Sequence, residues 1–126
     1  MRVVLVMLTI LLTPLTLFSC RKTNQYTSIS IEEAKHIMDN ETDYIILDVR
    51  RLDEYNSGHI PHAILIPNEE IKEKAESILR DKNQLILVYC RSGRRSKNSA
   101  KILAELGYSN VKEFGGIINW PYEIEY

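Results

Sequence analysis

Residues 85–89, Leu-Ile-Leu-Val-Tyr, form an unbroken apolar run of strand-forming residues, and residues 44–49, Tyr-Ile-Ile-Leu-Asp-Val, form a second run that only Asp48 interrupts. Neither alternates polar with apolar. A strand written this way is buried on both faces, which is the condition of a parallel sheet covered by helices. The intervening sequence supplies those helices. Ser30-Ile31-Glu32-Glu33 reads as a capping box, with Ile31, Ala34, Ile37 and Met38 then falling on one helical face and Asn40 ending the turn. Asn68 can cap a second helix that gathers Ile71, Ala75, Ile78 and Leu79. Ser96 to Leu106 predicts a third, with Ala100, Leu103 and Leu106 inward and Gly107 as its stop. Short strands are expected at Ala63–Ile66, closed by Pro67, and at Val111–Phe114, cut by Gly115-Gly116. Strands alternating with helices imply an α/β domain with a mostly parallel central sheet flanked by helices.

A chain of 126 residues, 44% hydrophobic and 26% charged, suits one domain. With a net charge of −1, no general attraction to nucleic acid is expected.

The first residues read as an address. Met1-Arg2 gives a positive start, and Val3 to Phe18 is apolar apart from Thr9, Thr13, Pro14 and Thr16. This is the layout of an export signal. It is short for a spanning helix, which needs about 20 apolar residues, and Pro14 weakens it further. The ending Leu17-Phe18-Ser19-Cys20 resembles a bacterial lipobox. That resemblance implies a lipoprotein signal peptide over 1–19, cleavage before Cys20, and lipid attachment there. The alternative is an uncleaved signal anchor with an incidental cysteine. Either places the folded part outside the cytoplasm and tethered to a membrane, with 20–27 as a polar tether and 28–126 as the domain. Multiple acyl chains anchor stably, each buried CH₂ contributing about 0.8 kcal/mol.

The segment Tyr89-Cys90-Arg91-Ser92-Gly93-Arg94-Arg95-Ser96 carries the chemistry. It leaves the strongest strand and enters a helix, where ligands of parallel sheets bind. Unpaired N–H groups converge at such a helix start and favour anions. Gly93 permits a turn with no side chain in the cradle. From Cys90 to Ala104 there are five basic residues, Arg91, Arg94, Arg95, Lys97 and Lys101, and no acid. A thiol in this setting ionises readily, and thiolate is the nucleophile. Arginine forks suit oxyanions. Lys97 and Lys101 read as surface charges. A small buried hydrophobe is the competing reading of Cys90, disfavoured by the Arg-Ser-Gly-Arg-Arg that follows. The only other cysteine is Cys20. If it is lipidated, no second thiol remains for disulfide exchange, and no cysteine or tight histidine pair suggests zinc.

Four stretches, in order, resemble the rhodanese family. These are Ile46-Leu47-Asp48-Val49-Arg50, then Glu54-Tyr55 with Gly58-His59-Ile60-Pro61-His62-Ala63, then Cys90 to Ser96, and finally Gly115-Gly116-Ile117-Ile118-Asn119-Trp120. The resemblance implies a single rhodanese-like three-layer domain. It implies a sulfurtransferase that moves sulfur from a small anion such as thiosulfate to a thiol or cyanide, through a persulfide on Cys90. Arg91, Ser92, Gly93, Arg94 and Arg95 would bind the donor, Asp48 and Arg50 would brace the loop, and no metal or organic cofactor is needed. A local salt bridge, with Glu54 as a possible member, is the plainer reading of Asp48 and Arg50. His59 reads as a turn residue. Trp120 is expected over the core near the pocket. His62 stands where the family usually has glycine, so the turn would differ or its side chain would reach the pocket.

Two further functions compete. One is a carrier or anion-sensing, partner-binding module at the membrane, in which Cys90 holds sulfur without turnover. The other is a phosphatase or arsenate reductase. Those relatives use a longer C-x5-R loop, whereas Cys90 to Arg95 spans C-x4-R and Ser96 follows.

Overall fold

The computed structural model describes residues 24–126. The expected signal segment and Cys20 lie outside the described residues. In chain order the elements are β1 (Thr27–Ser28), α1 (Ile31–Asn40), β2 (Tyr44–Asp48), α2 (Leu52–Asn56), β3 (Ile64–Leu65), a 3₁₀ turn (Asn68–Glu70), α3 (Ile71–Ile78), β4 (Leu85–Cys90), α4 (Arg94–Glu105), β5 (Val111–Gly116) and a last 3₁₀ turn (Ile117–Asn119).

The five strands form one sheet in the order β1-β5-β4-β2-β3, and every pairing is parallel. β4 lies at its centre, and all six of its residues are buried. That is the outcome its unbroken apolar run requires. Alternation along β4 divides two cores. Ile86, Val88 and Cys90 face α3 and α4 with Leu47, Val49, Ala75, Ala100 and Leu103. Leu87 and Tyr89 face the opposite side with Ala34, Ile46, Ile60 and Phe114, against which Ile37, Met38 and Trp120 pack. Two helical layers around a sheet give the three-layer α/β architecture.

Several elements differ from expectation in their bounds. β1 has no counterpart among the expected strands: Thr27 pairs with Lys112 and Ser28 with Glu113, so the chain joins the sheet one residue inside the expected tether. A two-residue edge strand exists through its partner and has no local pattern of its own. α2, five residues long, also escaped the sequence. α4 begins two residues earlier than Ser96, with Gly93 as its N-cap at φ 109°. α3 ends at Ile78, which is 48% exposed, while Leu79 turns inward as the next residue. The strand at 63–66 is reduced to Ile64–Leu65, and the last strand extends to Gly116. Ser30 does cap α1, accepting from the Glu33 N–H at 3.0 Å.

Candidate active site

The carboxyl ends of β2, β4 and β5 meet at one end of the sheet and place Asp48 beside Tyr89 and Gly116 beside Cys90. Cys90 is the last residue of β4, and Arg91, Ser92 and Gly93 form the whole connection to α4. Gly116 faces Cys90 across the ladder, and a Cβ there would lie 1.8 Å from the Arg91 carbonyl oxygen. The end of β5 therefore forms a wall of the loop, which the Ile118 N–H reinforces by donating to the Arg91 carbonyl at 3.2 Å.

Cys90 is 1% exposed. Its sulfur lies under the loop, where the Gly93 N–H donates to Sγ at 3.0 Å and the Ser96 hydroxyl stands at 3.5 Å. Burial pushes the thiol up. The Ser96 hydroxyl and the N–H groups of Ser96, Gly93 and Ser92 outweigh it and hold the thiol below its ordinary value. Burial and ionisation thus coexist, because the sulfur is met by donors as well as by the carbon of the α3–α4 core.

The three arginines of the loop divide. Arg91 and Arg94 are exposed and, among the described residues, join no ion pair. Arg95 departs from the expectation that its fork faces a donor anion. It donates from Nη1 to Glu54 Oε1 at 2.7 Å and from Nη2 to Glu54 Oε2 at 2.9 Å. The pair holds the Glu54 carboxyl at about 2, the Arg95 bond outweighing burial and the Arg51 N–H adding to it. The reason is placement. α2 follows β2 at the same sheet edge, and its third residue reaches the first turn of α4.

Asp48 and Arg50 are buried together. Arg50 Nε lies 3.1 Å from both Asp48 oxygens, Nη2 lies 2.7 Å from Oδ2, and Nη2 also donates to the Gly58 carbonyl at 2.7 Å. Tyr89 donates its hydroxyl to Asp48 Oδ2 at 2.6 Å and accepts from the Ile60 N–H at 3.0 Å. These bonds tie the ends of β2 and β4 to the Gly58–Ile60 turn, on the face of the sheet away from Cys90. The local salt bridge is therefore present, between Asp48 and Arg50 themselves, while Glu54 pairs with Arg95. His59 is a structural turn residue. Its ring stacks on Tyr55 at 3.8 Å between centroids, with Nδ1 2.9 Å from the Tyr55 carbonyl.

A cleft of about 330 Å³ opens beside the loop, lined by Arg50, Glu54, Gly58, Arg91 and Ile118. Trp120 and His62 do not line it. They border a separate groove of about 570 Å³ with Tyr122 and Pro61, because Trp120 packs on Phe114 across the sheet from Cys90. His62 keeps a left-handed backbone, φ 68°, the conformation that a glycine would adopt without strain.

Two residues behind the loop have roles that the sequence does not announce. Ser96 reads as the end of the loop and the start of the helix with no partner named, and Glu113 reads as one residue of a strand. Glu113 is 2% exposed and accepts from Ser28 Oγ at 3.0 Å, Gly115 N at 2.7 Å and Ser96 Oγ at 2.9 Å. A usable signal existed: Glu113 shares a strand face with Val111, so an acid was written at an inward position of β5.

A parallel sheet with a cysteine at the carboxyl end of its central strand, its sulfur met by loop N–H groups and followed by exposed arginines, defines a domain built around a buried thiol. The family description Rhodanese-like domain matches residues 30–121, and the chain belongs to that family. Thiosulfate sulfurtransferase PspE of Escherichia coli is 41% identical over 71 residues, 56% of this chain and 68% of that protein. Thiosulfate sulfurtransferase 18 of Arabidopsis thaliana is 32% identical over 111 residues, 78% of this chain and 79% of that protein. Among solved structures, a rhodanese with anions from E. coli superposes with a TM-score of 0.61 at 35% identity, covering 65% of this chain and 96% of the other. Sulfur transfer is the common activity of these relatives.

Proposed function

We propose that the chain transfers sulfane sulfur from a small anionic donor such as thiosulfate, through a persulfide on Cys90, to a thiol or cyanide. The observation that carries this reading is the Cys90 sulfur accepting the Gly93 N–H at 3.0 Å at the start of α4. A negative sulfur at this point is stabilised before any substrate arrives. In the first step the Cys90 thiolate attacks the outer sulfur of thiosulfate. A sulfur–sulfur bond forms to Cys90, the donor's sulfur–sulfur bond breaks, and sulfite leaves with the electron pair. In the second step an acceptor thiolate or cyanide attacks the outer sulfur, and Cys90 leaves as thiolate. Arg91, which lines the cleft, and Arg94, both exposed and in no ion pair among the described residues, suit the sulfonate end of the donor. Loop N–H groups suit the terminal sulfur of the persulfide. The similarity to thiosulfate sulfurtransferases, and to a rhodanese solved with anions, supports the choice of donor.

The test is mass spectrometry of the full chain after thiosulfate. The Cys90 peptide should gain one sulfur, cyanide should remove it, and Cys90→Ala should gain none. Equal inactivity of wild type and Cys90→Ala across donors would sink the proposal. Stoichiometric loading with negligible turnover would favour a carrier, and rapid hydrolysis of an aryl phosphate would favour phosphatase chemistry.

The same proposal places the domain outside the cytoplasm, anchored to a bacterial cell membrane by lipid on Cys20. The support is the Leu17-Phe18-Ser19-Cys20 pattern after an apolar run. Labelled fatty acid should enter the protein and be lost in Cys20→Ala; a soluble, unlabelled wild type would contradict it.

A further inference from the structure

Glu113 is a buried acid that the sulfur-transfer steps leave unused. It stands on β5, on the face shared with Val111 and turned towards α4. Three donors reach it from three places: Ser28 on β1, Gly115 N–H at the end of β5 and Ser96 on α4. The Ser96 hydroxyl is the member that matters. It lies 2.9 Å from Glu113 Oε1 and 3.5 Å from Cys90 Sγ, with the Gly93 carbonyl at 2.9 Å and the Gly115 carbonyl at 3.3 Å. A hydroxyl has one proton and two lone pairs. It cannot donate to the carboxylate and to a thiolate at once.

We infer that Glu113 is a positioning residue that governs how readily Cys90 ionises, by competing with the Cys90 sulfur for the single proton of Ser96. This rests on the sulfur-transfer reading only in giving the ionised thiol a use. While Cys90 is a thiol, its S–H donates to Ser96 Oγ and the Ser96 proton points to Glu113. When the Cys90 proton leaves to solvent, the Ser96 hydroxyl turns to the sulfur, and Glu113 keeps the bonds from Ser28 and Gly115. The turn costs one charge-assisted hydrogen bond to gain another. Glu113 therefore opposes thiolate formation while Ser96 supports it.

The surrounding groups fit this balance. Burial works against ionisation of Cys90, and the Ser96 hydroxyl is the foremost group working for it. The other charge coupled to Cys90 is Arg95, whose guanidinium is occupied by Glu54. The remaining contacts are backbone N–H groups of Ser92, Gly93 and Ser96, which the chain holds in place and which cannot turn as a hydroxyl can. After sulfur transfer the negative charge lies on the outer sulfur. The Ser96 proton then returns to Glu113 without loss, so the carboxylate disfavours the bare thiolate relative to the persulfide.

The test is the pH dependence of iodoacetamide alkylation at Cys90 in the full chain, read on the Cys90 peptide by mass spectrometry. It needs no sulfur donor, so its failure is separate from failure of the sulfur-transfer proposal. Glu113→Gln should move the midpoint down by about half a unit or more, roughly threefold faster alkylation below the midpoint. The same change in a Ser96→Ala background should move it by much less. Ser28→Ala should act oppositely, moving the midpoint up, because Glu113 then holds the Ser96 proton more firmly. Coincident profiles for wild type and Glu113→Gln would overturn the inference, as would an equal shift with and without Ser96. If Glu113→Gln does not fold, the exposed Ser28 position decides: an unchanged or lowered midpoint in Ser28→Ala overturns it.

Discussion

Both oxygens of Glu54 are held by the guanidinium of Arg95, at 2.7 and 2.9 Å, and this pair ties α2 to the first turn of α4 across 41 residues of sequence. The Glu54 carboxyl is lowered from 4.5 to about 2 by that contact, so its contribution is complete above pH 4.5 and is lost as pH falls through about 2. Glu54→Gln should cost about 1 kcal/mol at neutral pH, since the pair is partly exposed. Urea midpoints checked at pH 7 and at about pH 1.5 should differ between the two proteins at the first and converge at the second.

The Asp48–Arg50 pair has almost no exposure, 0% and 6% for the two side chains. Asp48→Ala would strand a buried guanidinium and should cost about 3–5 kcal/mol. Tyr89→Phe removes one donor to Asp48 and leaves the Ile60 N–H without its acceptor, for a smaller loss of about 1–3 kcal/mol. Denaturant melts of the two variants should rank them in that order.

Gly116→Ala places a methyl group against the Arg91 carbonyl and 2.5 Å from the Ser92 nitrogen. The backbone of the loop must move, because neither atom belongs to a flexible side chain. We expect a stability loss of about 1–3 kcal/mol together with a raised midpoint for Cys90 alkylation, since the donors at the sulfur shift with the loop. A variant that kept the wild-type alkylation profile would show that β5 does not shape the loop.

His62→Gly should stabilise the protein. A non-glycine residue at φ 68° carries a left-handed cost of about 1–2 kcal/mol, partly offset by the larger entropy that glycine loses on folding. The expected net gain is about 0.5 kcal/mol, a rise in Tm of a few degrees by calorimetry. A fall in Tm would mean that the imidazole contributes contacts worth more than the strain.

The sequence reveals this fold wherever a pattern is local. β4 is legible because five consecutive apolar residues permit one environment, and α1 because Ser30 announces its own start. β1 and α2 are illegible for the opposite reason. Two residues of strand and one and a half turns of helix are stable only through what they touch, Lys112 and Glu113 for β1 and Arg95 for α2. The site follows the same division. Cys90, Gly93 and the basic run announce an anion-facing thiol within seven residues of sequence. Nothing in that run says that Arg95 is committed to Glu54, or that Ser96 has a carboxylate behind it, because both partners arrive from other strands and helices. Counting arginines measures the charge of a loop and leaves open which of them are at liberty.

The position of Cys90 at the end of a strand bonded on both edges and covered on both faces has a mechanical consequence. Its sulfur is mounted on a strand held on every side and has no arm on which to travel. In the sulfur-transfer reading proposed above, donor and acceptor must therefore both come to the sulfur, because the sulfur cannot go to them.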